Sequence, residues 1–481
     1  MEKPTGIAAF LGNHREQNPV SFHMPGHKGG RIYRENGWGD FLEHIMDWDI
    51  TEIPGADNLF QTEGIIRETM HRYQAMYESK ESHLLINGSS AGLIAAVMTA
   101  VPQGGKLIMA RNCHKSIFNG IAMAGGEPVY AYPELMEDYG ISGPVTAEEI
   151  ERCLSQHPDS SAVILPSPNY YGICSDIEAI AETVHRAGKL LIVDQAHGAH
   201  LKFFDTYVNK KNKAAESQGA DIVVNSIHKT LASFTQTAIV NLCSDRVDKY
   251  TFEDKLQLVE STSPSYVLMA SLDINADLLE RKGQKLVEEW EGNLQYFYKK
   301  AEEIEGLRVM KDAMLDHTKI NLDMSRYGLD GLQLEELLME KGIFGELVTG
   351  NILMCMTGIG NRRCDYERLY SALREIADMG RPAFLTSMTE EAGEMAQKQF
   401  LTTKRLPQKP LPAEKERVPL SEASGRVCGA SIIPYPPGIP IICPGEVMDA
   451  EILDYVSALR AKGEKVMGVD DQGRVTVGKE S

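Results

Sequence analysis

The sequence Asp221-Ile222-Val223-Val224-Asn225-Ser226-Ile227-His228-Lys229-Thr230 places a lysine directly after a short apolar run. The run predicts a buried strand, and the small and polar residues after Thr230 predict a loop. Burial at a strand end would lower the pKa of Lys229 and leave part of its amine neutral. A neutral amine can attack an aldehyde, whereas the ordinary explanation for a single lysine is a solvated surface charge. Lys229 is therefore a candidate nucleophile that needs support from the rest of the chain.

A second apolar run supplies that support, because Leu190-Leu191-Ile192-Val193-Asp194 ends in a carboxylate about one strand–crossover–strand unit before Lys229. Two neighbouring parallel strands would bring Asp194 and Lys229 to the same carboxyl edge of a sheet, where open α/β sheets bind ligands. Pyridoxal phosphate requires this pair. A lysine holds its aldehyde, and an acid keeps its ring nitrogen protonated so that the ring can accept electrons.

At this point the chain resembles the fold-type I pyridoxal-phosphate enzymes. Ser226-x-His228-Lys229 resembles the ornithine/lysine/arginine decarboxylase family in particular, and two further signatures of that family are Ser21–Gly30 and Pro434–Glu446. The resemblance runs from about Ser21 to about Glu446. It implies an α/β fold with a mostly parallel central sheet flanked by helices, a small α+β domain and a C-terminal decarboxylase domain. Nothing in the sequence resembles the extra N-terminal receiver-like domain of larger family members.

The order of the predicted elements divides the chain into four parts. We expect an N-terminal arm with active-site loops over residues 1–60 and a large domain that binds the cofactor over 61–305. A small α+β domain would cover 306–385. A linker and a C-terminal domain would cover 386–481, with the polar, proline-containing linker extending to about residue 417.

A predicted strand-to-helix turn at Asn87-Gly88-Ser89-Ser90-Ala91-Gly92 suits a phosphate, because free backbone N–H groups and the helix dipole point there. We expect the helix itself from Leu93. The ordinary explanation is that serine is a good N-cap. The family resemblance assigns Gly88, Ser89 and Ser90 to the cofactor phosphate, and it adds further cofactor-binding positions at His114, Asp194, His197, Ser226, His228 and Thr262.

The same resemblance implies roles for individual residues. His114 follows the predicted strand Lys106–Met109 and would stack on the cofactor ring, which typically contributes about 0.5–1.5 kcal/mol. His228 would either contact the phosphate or return a proton to the substrate. Thr262 lies in a segment that, in the family, reaches the partner's phosphate across a dimer interface, so we expect at least a homodimer with a composite site. Which of Asn169, Tyr170 and Tyr171 faces the cofactor stays open.

A cationic substrate needs an acidic partner, since a desolvated cation without one is costly. The segment from Asp47 to Asp57 carries four carboxylates, although a solvated loop is the usual explanation for such a segment. Glu52 is our first candidate for the substrate tail and Asp57 the second. Glu446 is the alternative if neither binds it.

Composition limits the partners. The formal net charge of −19 argues against nucleic acid and against an anionic membrane surface, and no apolar run reaches the roughly 18 residues of a membrane span. The eight cysteines contain no C-x-x-C pair, which argues against zinc and favours a reducing cytoplasm. His23 and His27 have a helical metal-ligand spacing, but Pro25-Gly26 between them forbids the helix, so we expect no metal.

The first functional hypothesis is therefore decarboxylation of arginine, lysine or ornithine to an amine, as in polyamine biosynthesis. Lys229, Asp194, His114 and His228 would be its catalytic residues. An aminotransferase or lyase using the same cofactor is the second hypothesis, with Arg362 or Arg363 as the clamp for the α-carboxylate. A non-catalytic regulator is disfavoured because Lys229, Asp194 and His114 are all present.

Overall fold

The structure is a computed structural model that describes residues 6–209, 213–380, 405–435, 440–461, 463 and 465–479. Its helices are α1 (Ile7–Glu16), α2 (Arg31–Glu35), α3 (Gly39–Glu43), α4 (Ile65–Tyr77), α5 (Gly88–Ala100), α6 (Lys115–Ala124), α7 (Ala147–Gln156), α8 (Ile177–Arg186), α9 (Leu201–Phe204), α10 (Ile227–Thr230), α11 (Lys249–Gln257), α12 (Tyr266–Ala301), α13 (Gly331–Glu340), α14 (Arg363–Met379) and α15 (Ala450–Ala461).

The strands are β1 (Val20–Ser21), β2 (Glu81–Leu85), β3 (Lys106–Ala110), β4 (Glu127–Ala131), β5 (Leu135–Met136), β6 (Ile141–Ser142), β7 (Ser160–Pro166), β8 (Leu190–Asp194), β9 (Ile222–Asn225), β10 (Ala238–Leu242), β11 (Arg308–Val309), β12 (Lys319–Asp323), β13 (Ile343–Phe344), β14 (Leu347–Thr349), β15 (Ile352–Met356), β16 (Lys415–Pro419), β17 (Ile433–Tyr435), β18 (Lys465–Met467) and β19 (Arg474–Gly478).

A seven-stranded sheet in the order β2-β10-β9-β8-β7-β3-β4 forms the centre of the large domain. Its neighbouring strands are parallel except at β10, which is antiparallel to both β2 and β9. Both faces are buried, since the adjacent residues Leu84 and Leu85 of β2 belong to different apolar cores. Helices on both faces explain why these strands are continuous apolar runs. The prediction of a mostly parallel α/β sheet is confirmed.

The register of β8 and β9 brings the two predicted cofactor residues to one edge. Asp194, the last residue of β8, pairs with Val224 of the parallel strand β9. The chain then passes through Ser226 into α10, a single helical turn that carries Lys229. The carboxylate and the lysine therefore leave neighbouring strands at the same carboxyl edge, as the sequence predicts.

Helix α5 begins at Gly88, whereas the sequence predicted its start at Leu93. Serine and glycine are weak helix formers, but close packing on the sheet favours a small residue in this helix. A Cβ added at Gly92 would lie 2.6 Å from side-chain atoms of both Leu85 and Val240. The predicted turn is thus the first turn of the helix.

A second, antiparallel sheet in the order β11-β12-β15-β14 follows the long helix α12, together with helices α13 and α14. The sheet and these helices form the α+β arrangement that the sequence predicts for this part of the chain. The sheet lies against the large domain through β12, whose first residue, Lys319, is fully buried.

The C-terminal part pairs β16 with β19 and β17 with β18, and α15 packs on an apolar core that includes Ile432, Ile452 and Val475. The predicted linker ends earlier than expected, because β16 begins at Lys415. The rest of that linker up to residue 404, and residues 436–439 of the proline-rich signature, lie outside the described residues. None of the helices in the described ranges is long and apolar enough to cross a membrane.

A buried ion pair joins this C-terminal part to the large domain. Arg111 donates two hydrogen bonds to the carboxylate of Glu446, at 2.7 and 2.9 Å, and both side chains are buried. Tyr132 donates a third hydrogen bond to the same carboxylate. The buried carboxylate of Glu446 is therefore paired with Arg111. This pairing argues against Glu446 as the partner of the substrate tail, which was the alternative to Glu52 and Asp57.

Candidate active site

Lys229 is half-buried, and its Nζ lies 2.9 Å from Nε2 of His197. Burial lowers the pKa of Lys229, and the charge of Lys319 lowers it further. The carboxylates that act on it in the opposite direction are Asp194 and Glu346. The direction agrees with the sequence prediction, and it increases the fraction of neutral amine at a given pH.

Asp194 is buried at the end of β8 and accepts the backbone N–H of Ala196 at 3.1 Å. Burial raises the pKa of its carboxyl group, while the charge of Lys229 and the bond from Ala196 work against that shift. A buried carboxylate with spare acceptor capacity is suited to hold a protonated ring nitrogen.

His197 covers the amine of Lys229 from the same edge. Its Nδ1 is buried and has no hydrogen-bond partner among the described residues. Burial, followed by the charges of Lys229 and Lys319, lowers the pKa of His197 well below its usual value, and His114 and His228 contribute to the same shift. The ring is therefore neutral, and the residues that the sequence named at 114, 197, 228 and 229 lie close enough to interact.

Tyr170 is the residue of its loop that faces this group. Its ring centroid lies 4.5 Å from that of His197, with the planes at 54°. Asn169 instead donates to the backbone carbonyl of Ser142, and the hydroxyl of Tyr171 lies 3.1 Å from that of Thr349. Tyr170 is therefore the one of the three that contacts His197, and which of them faces the cofactor stays a prediction.

The start of α5 forms the candidate phosphate site. Gly88 has a φ of +77°, which favours glycine, and the Asn87 side chain does not cap the helix. The hydroxyl of Ser226 donates to that of Ser89 at 2.8 Å, so the turn before Lys229 meets the helix start. The first N–H groups of a helix have no partner within it, and they point at an anion bound there.

His114 and His228 differ in exposure. His114 lies after β3, directly before α6, and its side chain accepts the N–H of Ser116. The residue is exposed, so its ring can stack on a flat ligand. His228 is buried, and burial lowers its pKa to about 4. Its Nδ1 donates to the carbonyl of Thr237, which leaves Nε2 as a proton acceptor. That tautomer favours proton transfer over a phosphate contact.

The loop Ser21–Gly30 packs directly on the lysine turn. The N–H of Gly26 donates to the carbonyl of His228 at 2.7 Å, and a Cβ at Gly26 would collide with the backbone of Thr230. The N–H of Ile359 donates to the carbonyl of Thr230 and that of Gly360 to Gly26, at 2.9 and 3.0 Å. Two distant segments thus hold the lysine turn through their backbones and are bonded to each other, and the signature loop lies against this turn.

In the described part of the chain, the Asp57 carboxylate is hydrogen-bonded to backbone groups near the start of α4, and Glu52 is exposed. The Asp57 carboxylate accepts the N–H groups of Asn58, Glu63, Gly64 and Ile66, which together outweigh burial and lower its pKa. It therefore organises the start of α4. Glu52 and Thr262 are exposed in the single chain. Their assignment to substrate and cofactor stays a prediction.

Glu346 is a carboxylate that the sequence interpretation missed. It lies between the short strands β13 and β14, is half-buried, and accepts hydrogen bonds from the Tyr170 hydroxyl at 3.0 Å and from the Met24 N–H at 2.9 Å. Its charge acts on Lys229. A single glutamate between two short strands carries no periodic signal, so no sequence pattern pointed to it.

The two arginines considered as clamps for an α-carboxylate have other partners. Arg362 forms an ion pair with Glu35. The Arg363 guanidinium lies 4.1 Å from the ring centroid of Tyr296 and donates to the carbonyl of Gly292. Neither contact involves the group around Lys229.

These residues fit pyridoxal phosphate. The fit rests on an amine of lowered pKa, a carboxylate at the neighbouring strand end and a helix start for the phosphate. His197, whose Nε2 contacts Lys229, also has a buried Nδ1 without a hydrogen-bond partner in the described part of the chain.

Comparison with known proteins agrees with this arrangement. The family model for the major domain of Orn/Lys/Arg decarboxylases matches residues 5–322, and the model for their C-terminal domain matches residues 386–475. The chain is 31% identical to an arginine decarboxylase of Bacillus subtilis (strain 168) over 477 residues, covering 97% of this chain and 96% of the relative. It is 29% identical to an arginine decarboxylase of Bacillus anthracis, covering 97% and 95%.

Solved structures show the same fold. The constitutive lysine decarboxylase of E. coli aligns with a TM-score of 0.75 at 21% identity, covering 98% of this chain and 81% of that one. Lysine decarboxylase A of Pseudomonas aeruginosa aligns with a TM-score of 0.77 at 21% identity, covering 98% and 80%. From its matches to both family models and to full-length relatives, the chain belongs to the Orn/Lys/Arg decarboxylase family.

Proposed function

We propose that this chain uses pyridoxal phosphate to remove the α-carboxylate of a basic L-amino acid, with arginine as the preferred substrate. The observation that carries the proposal is the edge where the amine of Lys229 lies beside the carboxylate of Asp194, with the second carboxylate of Glu346 acting on the same lysine. One acid serves the cofactor, and the other remains for a cationic substrate.

The roles of the residues follow from their positions. Pyridoxal phosphate, when bound, supplies an electron sink for the bond that the leaving carboxylate breaks. Lys229 would hold its aldehyde, Asp194 its ring nitrogen, and the start of α5 with Ser226 its phosphate. His114 would cover the ring.

Lys229 and His228 are the groups at the carboxyl edge of the central sheet that we assign to proton transfer. Lys229 Nζ is a proton donor once it is released, and its contact with His197 Nε2 keeps it directed at the site. His228 is neutral because burial lowers its pKa, and its Nε2 can accept a proton. After carbon dioxide leaves, Lys229 Nζ is our candidate for returning a proton to the α-carbon.

Glu346 is our candidate partner for the substrate tail, in place of Glu52 and Asp57. Its two oxygens each accept one hydrogen bond, and a carboxylate offers roughly four acceptor positions, so it can accept further bonds. A guanidinium matches a carboxylate in shape and charge. Arginine is preferred because the relatives that match this chain over nearly their whole length include several named arginine decarboxylases.

An aminotransferase is the less favoured function. Such an enzyme would be expected to hold the α-carboxylate with an arginine, and Arg362 and Arg363 are engaged with Glu35 and Tyr296. A decarboxylase has the opposite need, because the carboxylate must leave.

The experiment is an assay of carbon dioxide release from L-arginine, L-lysine and L-ornithine by the cofactor-loaded enzyme, with keto-acid formation measured in parallel. We expect carbon dioxide release from at least one of the three amino acids, with the highest kcat/KM for arginine. A keto acid without carbon dioxide would overturn the decarboxylase assignment. A higher kcat/KM for lysine or ornithine would overturn the preference for arginine.

We further propose a homodimer in which Thr262 serves the partner's site. Thr262 is exposed, and α1 exposes the large apolar residues Ile7, Phe10 and Leu11, as is typical of interfaces. The test mixes the inactive variants Lys229→Ala and Thr262→Asp. If Thr262 acts across the interface, mixed dimers contain one intact site and regain activity; no regain would place Thr262 in its own chain's site.

The setting that we propose is a reducing cytoplasm and a route that makes polyamines. All eight cysteines are free, and most are buried, as is typical of cytosolic enzymes. Decarboxylation of a basic amino acid yields a polyamine or its precursor.

A further inference from the structure

We propose that Lys319, Asp316 and His200 form a positioning unit behind Lys229, which fixes the lysine turn against the small antiparallel sheet. The inference rests on the proposed function, because the effect of the unit is on the group that holds the cofactor. It concerns residues that lie outside every motif recognised in the sequence.

The first arm of the unit starts at Lys319. Its side chain is fully buried, and Nζ donates to the Asp316 carboxylate at 2.6 Å and to the Thr318 hydroxyl at 3.3 Å. It also donates to the backbone carbonyl of His197. Because Nε2 of His197 contacts Lys229 Nζ, this arm ends one residue away from the reactive amine.

The second arm starts at Asp316. Its other carboxylate oxygen lies 3.2 Å from Nε2 of His200, and Nδ1 of His200 lies 3.2 Å from the hydroxyl of Thr230. Burial lowers the pKa of His200 to about 4, so the ring carries one proton. A carboxylate only accepts, hence Nε2 donates to Asp316 and Nδ1 accepts from Thr230. The arm ends on the residue that follows Lys229.

Both arms cross between the two sheets. Lys319 begins β12 of the small sheet, whereas His197 and Thr230 follow β8 and β9 of the central sheet. Although burial alone would raise the pKa of Asp316, the charge of Lys319 and the hydrogen bonds from His200 and Lys319 hold it well below its usual range. The unit is therefore ionised and directional, and its hydrogen bonds fix the distance between the small sheet and the lysine turn.

A buried ion pair by itself is weak support for stability, because apolar residues of similar volume often stabilise a fold as well or better. Two features point to positioning instead. Each donor and acceptor of the unit is used, and both outer ends stop at residues adjacent to Lys229 or in contact with it.

The test compares three variants of the holoenzyme. Thr230→Val breaks the second arm with little change in volume. Lys319→Met breaks the first, and Lys319→Met with Asp316→Leu removes the pair without leaving a buried charge unpaired. The readouts are the visible circular dichroism per bound cofactor, the rate at which the apoenzyme captures pyridoxal phosphate, and kcat separately from KM.

We expect altered visible dichroism, slower capture and a fall in kcat of about 10- to 100-fold with KM nearly unchanged, as a small misplacement of a reacting group produces. The matched control is Asp221→Asn. Asp221 is also fully buried and accepts from Leu191 N–H and His185 at 2.8 and 2.9 Å, but it precedes β9 at the opposite edge of the same sheet. The Asp221→Asn variant should have a lower melting temperature but the parental visible dichroism, rate of cofactor capture and kcat.

Parental dichroism, capture and kcat in Thr230→Val and in the double variant would overturn the proposal and leave the unit a structural ion pair. The dichroism and capture rates do not depend on which reaction follows. A parent enzyme that binds the cofactor but releases no carbon dioxide would refute the proposed function alone.

Discussion

Lys229 and Lys319 both contact His197, Lys229 at its ring and Lys319 at its backbone carbonyl, and their surroundings differ. Lys319 is fully buried, and its ammonium donates to three oxygen atoms, from Asp316, Thr318 and the His197 carbonyl. Lys229 is half-buried, and its partner is the ring nitrogen of His197. One amine is held by oxygen acceptors, and the other is held by a neutral nitrogen.

The difference shows how a chain separates a structural lysine from a reactive one. Oxygen acceptors, an anionic one above all, stabilise the ammonium form and its position. A neutral imidazole orients an amine without adding a charge that would keep it protonated. Burial and the nearby charge of Lys319 lower the pKa of Lys229, so the structural lysine also favours the neutral form of the reactive one.

The largest effect is expected from Lys229→Ala. The variant should lose the visible absorption band of bound pyridoxal phosphate and more than about a thousandfold of kcat, because no other group can replace the nucleophile. Absorption spectra and initial rates check both losses. A variant that retains the band would give the nucleophilic role to another lysine.

Lys319→Met should separate stability from chemistry. Removing one partner of a buried ion pair leaves Asp316 unpaired, so we expect a loss of about 3–5 kcal/mol in the free energy of unfolding. Lys229→Ala should change it by far less. Denaturant unfolding of the two apoenzymes makes the comparison, and an equal loss in both would contradict the distinction.

Asp194→Asn tests the acid beside Lys229. The cofactor should stay bound, while kcat should fall by roughly 10²–10³, as loss of a preorganised electrostatic contact does. Cofactor content by absorbance and kcat by carbon dioxide release provide the check. Near-parental turnover would mean that another group protonates the ring nitrogen.

Glu346→Gln tests the second carboxylate. We expect KM for arginine to rise roughly tenfold or more with a smaller change in kcat, since a hydrogen bond to a charged group contributes about 1.5–3 kcal/mol. Tyr170→Phe is the control, because it removes one hydrogen bond from Glu346 and keeps its charge. If KM is unchanged in Glu346→Gln, the tail binds elsewhere.

The smallest effects are expected in the acidic segment that the sequence favoured. Asp57→Asn should lower the free energy of unfolding by about 0.5–2 kcal/mol, in the range for lost helix caps, and leave KM unchanged. Glu52→Gln, at an exposed position, should change neither. An increase in KM in either variant would return the tail site to this segment.

The fold and the central pair of residues were predictable because they rest on local signals that the topology preserves. Apolar runs marked β8 and β9, and their parallel connection brings Asp194 and Lys229 to one edge whatever the details of packing. The α+β order of the small domain was recognisable from the order of local elements for the same reason.

The rest depends on side-chain directions and on contacts between distant segments. Asn169 Oδ1 accepts the N–H groups of Tyr171 and Ile173, and in this loop conformation Tyr170 faces His197. The loop sequence does not reveal these hydrogen bonds. Glu346 and Lys319 come from the other sheet, far along the chain. The early start of α5 depends on its close packing at Gly92.

The most direct test of the central claim is borohydride reduction of the holoenzyme, which locks pyridoxal phosphate onto the amine that carries it, followed by peptide mass spectrometry. We expect the added mass on the peptide that contains Lys229 and on no other. Added mass on a peptide with a different lysine, such as Lys319, or no added mass after incubation with the cofactor, would show that Lys229 does not hold it.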